Sequence, residues 1–279
     1  VHARLLKTTA LIALLAIPTH AYAEPDGGNV TSGAATINTS GTTTNIHQTT
    51  DRAIIRWNSF DLNSAESVQF HQPSSSSITV NRIQDTKASR IDGHIGANGN
   101  IILINPNGIA FGSTATVDVN GLVATSSDLD DDNAFMNGGA VKFTKPGKAD
   151  AAIINHGTMT VKQGGLVGLV APNVENHGVI EAKLGKVALA SGDIATIDFA
   201  GDGLIKLEVT DAVLAQRVIN TGTIKADGGT IVMTAAQART MVDALVSNTG
   251  TLQANTIHLN GVQKKGTITL STKGLNITV

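Results

Sequence analysis

A six-residue phrase returns through the second half of this chain. Ile154-Asn155-His156-Gly157-Thr158-Met159 reappears as Glu175-Asn176-His177-Gly178-Val179-Ile180, as Ile219-Asn220-Thr221-Gly222-Thr223-Ile224 and as Ser247-Asn248-Thr249-Gly250-Thr251-Leu252. The asparagines are 21, 44 and 28 residues apart. The 44 reads as two periods of 22, and the 28 as one period with an insertion. A repeat near 20 residues is the mark of a solenoid, in which each unit buries its apolar face only against its neighbours. Leucine-rich repeats share that period, but their leucine and asparagine consensus is missing. The segments between glycines are short, alternating and rich in Val, Ile and Thr, which favours strands. A second signature follows each N-x-G unit, as Gly164-Gly165-Leu166, Gly185-Lys186-Val187 and Gly228-Gly229-Thr230-Ile231. Val187 and Leu189 correspond to Ile231 and Met233. Three short strands per rung describe an all-β parallel β-helix. At about 4.8 Å per rung, about nine rungs fit in residues 90–279, a rod of roughly 40–45 Å.

The residue types suit that geometry. Gly157, Gly178, Gly222 and Gly250 are expected at corners needing positive φ. Asn155, Asn176, Asn220 and Asn248 can bond the turn backbone or stack rung on rung. Aromatics are only 3% of the chain, so small aliphatics must fill a narrow interior that large rings would overfill. Trp57, Phe60, Phe70, Phe111, Phe135 and Phe143 cluster before the repeats, and only Phe199 lies within them. An open first rung exposes a sheet edge, so residues 24–90 are expected to form a cap and the first irregular rungs. Ser126 to Asp150 breaks the repeat and reads as an excursion out of the helix, with a hairpin through Ala140–Thr144.

Residues 1–23 have the pattern of a secretory signal peptide. Arg4 and Lys7 open it, Ala10 to Ile17 is apolar, Pro18 ends the run, and Ala21-Tyr22-Ala23 supplies the small-x-small cleavage site. The run is too short to span a membrane, and no second one reaches that length, so residues 24–279 are expected to be exported and soluble. Cleavage removes two of the 20 Lys+Arg against 22 Asp+Glu. No basic footprint for nucleic acid exists. Cysteine is absent, which excludes disulfides and thiolate metal sites and suits a chain that crosses a second membrane unlinked.

Gly99-Asn100-Ile101-Ile102-Leu103-Ile104-Asn105-Pro106-Asn107-Gly108-Ile109 resembles the N-P-N-G/L secretion motif of two-partner secretion exoproteins, the filamentous-haemagglutinin-like adhesins, haemolysins and contact-dependent inhibition toxins. Phe70-His71-Gln72-Pro73 with Asn81-Arg82-Ile83 resembles the family's second motif. Gly27-Gly28, Asp132 to Gly138 and Ile197 to Ile205 also resemble it. The resemblance implies a right-handed parallel β-helix that targets the exoprotein to an outer-membrane transporter of the Omp85 superfamily. It further implies recognition by that transporter's periplasmic POTRA domains after delivery by the Sec machinery. The chain then crosses unfolded and folds rung by rung outside, at the cell surface or secreted, with no cofactor. Family members continue into an adhesive or toxic passenger that meets the host cell. This chain stops in mid-repeat at Thr278-Val279, so it is expected to be a fragment or a secretion domain standing nearly alone.

Asn105, Pro106, Asn107, Gly108 and Ile109 are read first as a structural turn at a rung corner, with direct transporter contact as the alternative. Gln72, Pro73, Asn81 and Arg82 carry the secondary motif, and Ala21 and Ala23 the cleavage site. The run Asp128–Asp132 lacks the Gly and Glu of a calcium loop and reads as solvated. His156 and His177 occupy equivalent places about 5 Å apart, but the column continues as Thr221 and Thr249, so stacking is expected rather than a metal. The asparagine sequons at 29, 38 and 276 read as chance matches. Two rival functions remain. The β-helix itself could be an adhesin for host glycans or proteins. Polysaccharide-cleaving β-helix enzymes place paired carboxylates in N-T-D, D-D, G-H-G and R-I-K motifs. Here Asn220-Thr221-Gly222, Gly93-His94-Ile95 and Leu204-Ile205-Lys206 stand in their place, leaving Asp198 and Asp202 isolated.

Overall fold

The computed structural model describes residues 24–199, 203–208, 216–235, 244–272 and 275–276. The signal-peptide segment, including Ala21 and Ala23, lies outside them. The chain coils as a parallel β-helix of three sheets, ten-, nine- and six-stranded. A typical rung runs from the six-stranded sheet (Asn173–Asn176) through an N-x-G corner to the nine-stranded sheet (Val179–Glu181). It then enters the ten-stranded sheet (Lys186–Ser191). Alternation along each strand sends every second side chain inward. The main core holds Ile95, Val117, Leu122, Val167, Leu189 and Ile231 with their neighbours, all nearly fully buried.

The first edge is closed by two antiparallel strands. Asn29–Ser32 pairs with Arg52–Trp57, and Ala35–Ser40 with Thr43–Gln48. Parallel stacking starts directly above them, with Thr43–Gln48 on Ser67–His71 and Arg52–Trp57 on Ile78–Ile83. Phe70 and Phe111 sit on rung strands inside the main core, together with Trp57 and Phe60. The expectation that rings would overfill the coil is therefore corrected: Phe70 stands in register with Ala97, and Phe111 with Asn155, so the early rungs take rings where later rungs take smaller side chains.

The rung count is also corrected. Asn176 lies directly beside Asn220 in register, so the 44-residue gap is one rung and not two. The surplus is a second excursion, whose strands Ile194–Asp198 and Gly203–Glu208 pair outside the coil. Within the ten-stranded sheet the first and last strands pair antiparallel and the eight between them are parallel. Seven intervals at about 4.8 Å give a stack of about 34 Å, shorter than the period arithmetic implied.

Both excursions leave from the same corner, between the ten- and six-stranded sheets. The first contributes Asp128–Leu129, the helix Asp132–Met136 and the strand Val141–Lys145. With the second it builds a four-stranded antiparallel sheet outside the coil. That layer covers the outer face of the ten-stranded sheet. Phe135, Phe143, Leu129, Val141 and Ile197 pack over Ile54, Val80, Ile102, Ile104 and Val123 as a second core. Strands buried on both faces lose the polar alternation, which explains runs such as Ile101-Ile102-Leu103-Ile104.

Candidate functional site

Asn105 to Gly108 form the corner between Asn100–Ile104 and Ile109–Phe111. Gly108 N donates to Asn105 O at 2.9 Å, closing the turn, and Gly108 has φ +102°, a left-handed value that glycine adopts without penalty. Asn105 is fully buried. Its Oδ1 accepts from Asn107 N at 2.9 Å, while its Nδ2 donates to Lys87 O and Ser89 Oγ, both at 3.0 Å. Asn107 Nδ2 donates to Asp85 O at 2.7 Å. Both amides thus reach the same corner of the preceding rung. On the other side Lys148 N donates to Pro106 O at 2.8 Å, so the returning stem of the first excursion lands on this motif. Ile109 enters the core. The motif ties three successive storeys at one corner.

The secondary motif does the same at other places. Gln72 N donates to Asn98 Oδ1 and Asn98 Nδ2 returns to Gln72 O, both at 2.7 Å. The buried Gln72 amide accepts from Gly99 N and donates to Thr79 Oγ1 and Asn100 O. Pro73 follows on the exposed side of this corner. Asn81 Oδ1 accepts from the buried Trp57 indole at 3.0 Å. Arg82 faces outward into the second core's rim. Its Nε donates to Asp128 Oδ1 at 2.8 Å, and its two terminal nitrogens form a fork to Asp132 at 3.1 and 2.8 Å. Burial acts to lower the Arg82 pKa, but the bonds to Asp132 and Asp128 outweigh it and hold it above its ordinary value. The hydrogen bond from Arg82 in turn holds the Asp132 carboxyl below the usual carboxylate range, against the opposing effect of burial.

The N-x-G corners form a continuous column. Asn155 Nδ2 donates to Asn176 Oδ1 at 2.8 Å, Asn176 to Asn220 at 2.7 Å, and Asn220 to Asn248 at 2.7 Å. Each Nδ2 also approaches the carbonyl of its own corner glycine at 3.2–3.4 Å. Asn155, Asn176 and Asn220 each use both amide hydrogens, which is the economy of a stacked asparagine ladder. The glycines need correction. None of Gly157, Gly178, Gly222 and Gly250 has positive φ. A Cβ on Gly178 would lie 2.1 Å from Gly157 O, and Gly222 and Gly250 repeat the distance on the rung below. Close approach of stacked backbones, not a left-handed turn, demands glycine there. The left-handed corner lies elsewhere, at Gly164 and Gly228.

The remaining candidates find ordinary partners. His156 and His177 stack at 4.8 Å, and His177 bonds Glu175 and Thr221. Among the described residues no group of three His, Cys, Asp or Glu could hold a metal. Within the acidic run, Asp128 and Asp132 pair with Arg82, Asp130 accepts from Thr144, and Asp131 caps the helix through Asn133 N and Ala134 N. Asp198 ends a strand of the outer layer, and Asp202 lies outside the described residues.

Sequence reasoning missed Arg52. Its Nη1 donates to Phe135 O and Gly139 O, and its guanidinium lies 4.9 Å from the Phe135 ring centroid. A charged residue directly before the buried run Ala53-Ile54-Ile55 was the available signal.

A family model described as the TPS secretion domain matches residues 21–277. A heme/hemopexin-binding protein of Haemophilus influenzae strain Rd is 35% identical over 230 residues, covering 79% of this chain and 25% of that protein. A second heme/hemopexin-binding protein of Haemophilus influenzae is 30% identical over 298 residues, covering 98% of this chain and 31% of its own length. The chain thus spans roughly a quarter to a third of these relatives. The crystal structure of the HMW1 secretion domain from Haemophilus influenzae superposes with a TM-score of 0.75 at 32% identity, covering 88% of this chain and 62% of that one.

Proposed function

The chain belongs to the TPS secretion domain family, whose members are parts of secreted exoproteins, and from that premise we propose that residues 24–279 address such an exoprotein to its outer-membrane transporter. The transporter is of the Omp85 type, its periplasmic POTRA domains receive the chain after Sec export, and rungs form one on another outside the cell.

The observation that carries this reading is the burial of the secretion motif. Asn105 is inaccessible in the fold, and both Asn105 and Asn107 spend their amides on the preceding rung. The motif therefore acts through folding: it locks an early corner on which later rungs are laid. Asn105→Ala and Asn107→Ala should each lower extracellular yield while signal-peptide cleavage stays complete. Normal yield from both variants would refute the role. Co-purification of unfolded chain with the transporter's periplasmic domains tests recognition itself, and no binding there would refute the targeting reading.

A second reading draws on the relatives' names. Proteins that share this domain are heme/hemopexin-binding proteins, so the exoprotein carrying it is proposed to bind a host protein. Immobilised hemopexin challenged with the purified domain decides whether the β-helix itself takes part. Retention would support an adhesive β-helix, and passage without retention would assign binding to another part of the protein. A catalytic role would need new reducing ends to appear when polysaccharide is incubated with the domain.

A further inference from the structure

The outer face of the ten-stranded sheet is apolar at Ile54, Val80, Ile102, Ile104 and Val123, and among the described residues the extra-helical layer covers it. The lid strand Val141–Lys145 obtains its second neighbour late. Val141, Lys142 and Phe143 pair with Ile197, Thr196 and Ala195, which follow about fifty residues later in the chain. The polar ties from coil to lid come much earlier. Arg82 grips both ends of the segment Asp128–Asp132, and Arg52, two rows away on the neighbouring strand, grips the carbonyls of Phe135 and Gly139 where the helix ends. A helix of five residues cannot hold itself. Its N-terminal side is held by one arginine and its C-terminal side by the other.

We propose that Arg52 and Arg82 are positioning residues forming a two-point clamp that closes the extra-helical layer over the coil, as a step separable from rung stacking. The clamp is complete once residue 139 is present, so the lid can close over the apolar face before the strand Ile194–Asp198 joins it. Opening the clamp bares that face without unstacking the rungs, because both arginine heads bond only to the excursion. The fork of Arg82 onto a carboxylate also gives the lid one defined seat.

The chain offers two independent reporters. Trp57, the only tryptophan, is buried in the first rungs and reports stacking. Lys142 lies in the lid strand and reports its closure as a trypsin site. In the purified chain, Arg82→Met and Asp132→Asn should each raise cleavage after Lys142 about tenfold, the effect of losing a charge-assisted bond. Trp57 emission and the urea midpoint read from it should stay at the wild-type value. Arg82→Lys, which keeps charge but not the fork, should fall between. Asp132→Asn lies outside the coil, so it tests the lid even where Arg82→Met perturbs folding. Unchanged cleavage in Asp132→Asn overturns the proposal. So does a Trp57 midpoint that falls in step with the cleavage increase, because lid and rungs would then open as one unit.

Discussion

Gly178→Ala separates two physical accounts of a recurring corner phrase, close backbone approach against left-handed φ. The new methyl would start 2.1 Å from Gly157 O, 2.7 Å from His156 C and 2.9 Å from Gly157 N, all rigid backbone. Reaching an ordinary carbon–oxygen contact requires the two rungs to part locally by about 1 Å. The bonds from Gly178 N to Asn155 O (3.0 Å) and from Val179 N to Gly157 O (2.9 Å) span that gap. Losing both costs about 2 kcal/mol net, and overpacking adds about 1–3 kcal/mol. The stiffer unfolded chain returns about 0.5–1 kcal/mol, leaving a net loss of about 2–4 kcal/mol. Gly164→Ala is the control. Its φ is +83° but nothing lies within 4 Å of a Cβ there, so strain of about 1–2 kcal/mol is about half offset by the same unfolded-state term. Urea denaturation followed by far-UV circular dichroism reads both. The expected order is wild type, then Gly164→Ala within about 1 kcal/mol, then Gly178→Ala well below. Equal losses, or a larger loss for Gly164→Ala, would refute close approach as the reason for glycine.

Asn176→Ala removes a ladder bond on each side of a buried site, so it should cost about 2–4 kcal/mol, whereas Asn248→Ala at the last recorded step loses one and should cost about half; thermal melts of the two variants check the ratio. The Asp132 carboxyl is held below its ordinary value, so its stabilising bond to Arg82 is fully present at neutral pH and is lost as pH falls through the depressed value. Lid proteolysis by an acid-active protease should therefore be flat down to about pH 5 and rise below it, and the difference between wild type and Asp132→Asn should vanish in acid. Ser126 Oγ is the one buried side-chain polar atom without a hydrogen-bond partner among the described residues. Ser126→Ala should accordingly leave stability unchanged or raise it by up to about 1 kcal/mol, measured by the same urea midpoint, and a clear loss would contradict that reading.

Much of this architecture was legible because stacking is a local rule. Asn155 and Asn176 lie 21 residues apart and are bonded neighbours, and Val187 and Leu189 do sit beside Ile231 and Met233. What misled was counting residues as rungs. Between Asn176 and Asn220 the chain leaves the coil, builds two strands elsewhere and returns in register, which no spacing can distinguish from two plain rungs. The corner glycines were placed correctly and explained wrongly, because a steric clash with the next rung is a property of two segments and φ a property of one. Arg82 stood out as part of a motif, but its partners Asp128 and Asp132 lie 46 and 50 residues away. Arg52 belongs to no motif, and only the second apolar layer gives its charge a purpose.

The two excursions that build the outer layer share one corner, and after each the chain resumes the six-stranded sheet in register; only the small hairpin Ile257–Leu259/Val262–Lys264, among the described residues, leaves at another corner. The axial dimension of the molecule is therefore set by how many times it circles, while its mass is set by what hangs from that seam. Foreign sequence spliced between the strands Ile194–Asp198 and Gly203–Glu208 should thicken the rod and leave its length alone. One deleted circuit should shorten it by about 4.8 Å and bring two seams into contact. For a polymer that grows by addition at one end, this makes the seam the place where new cargo can be hung without recalibrating the shaft.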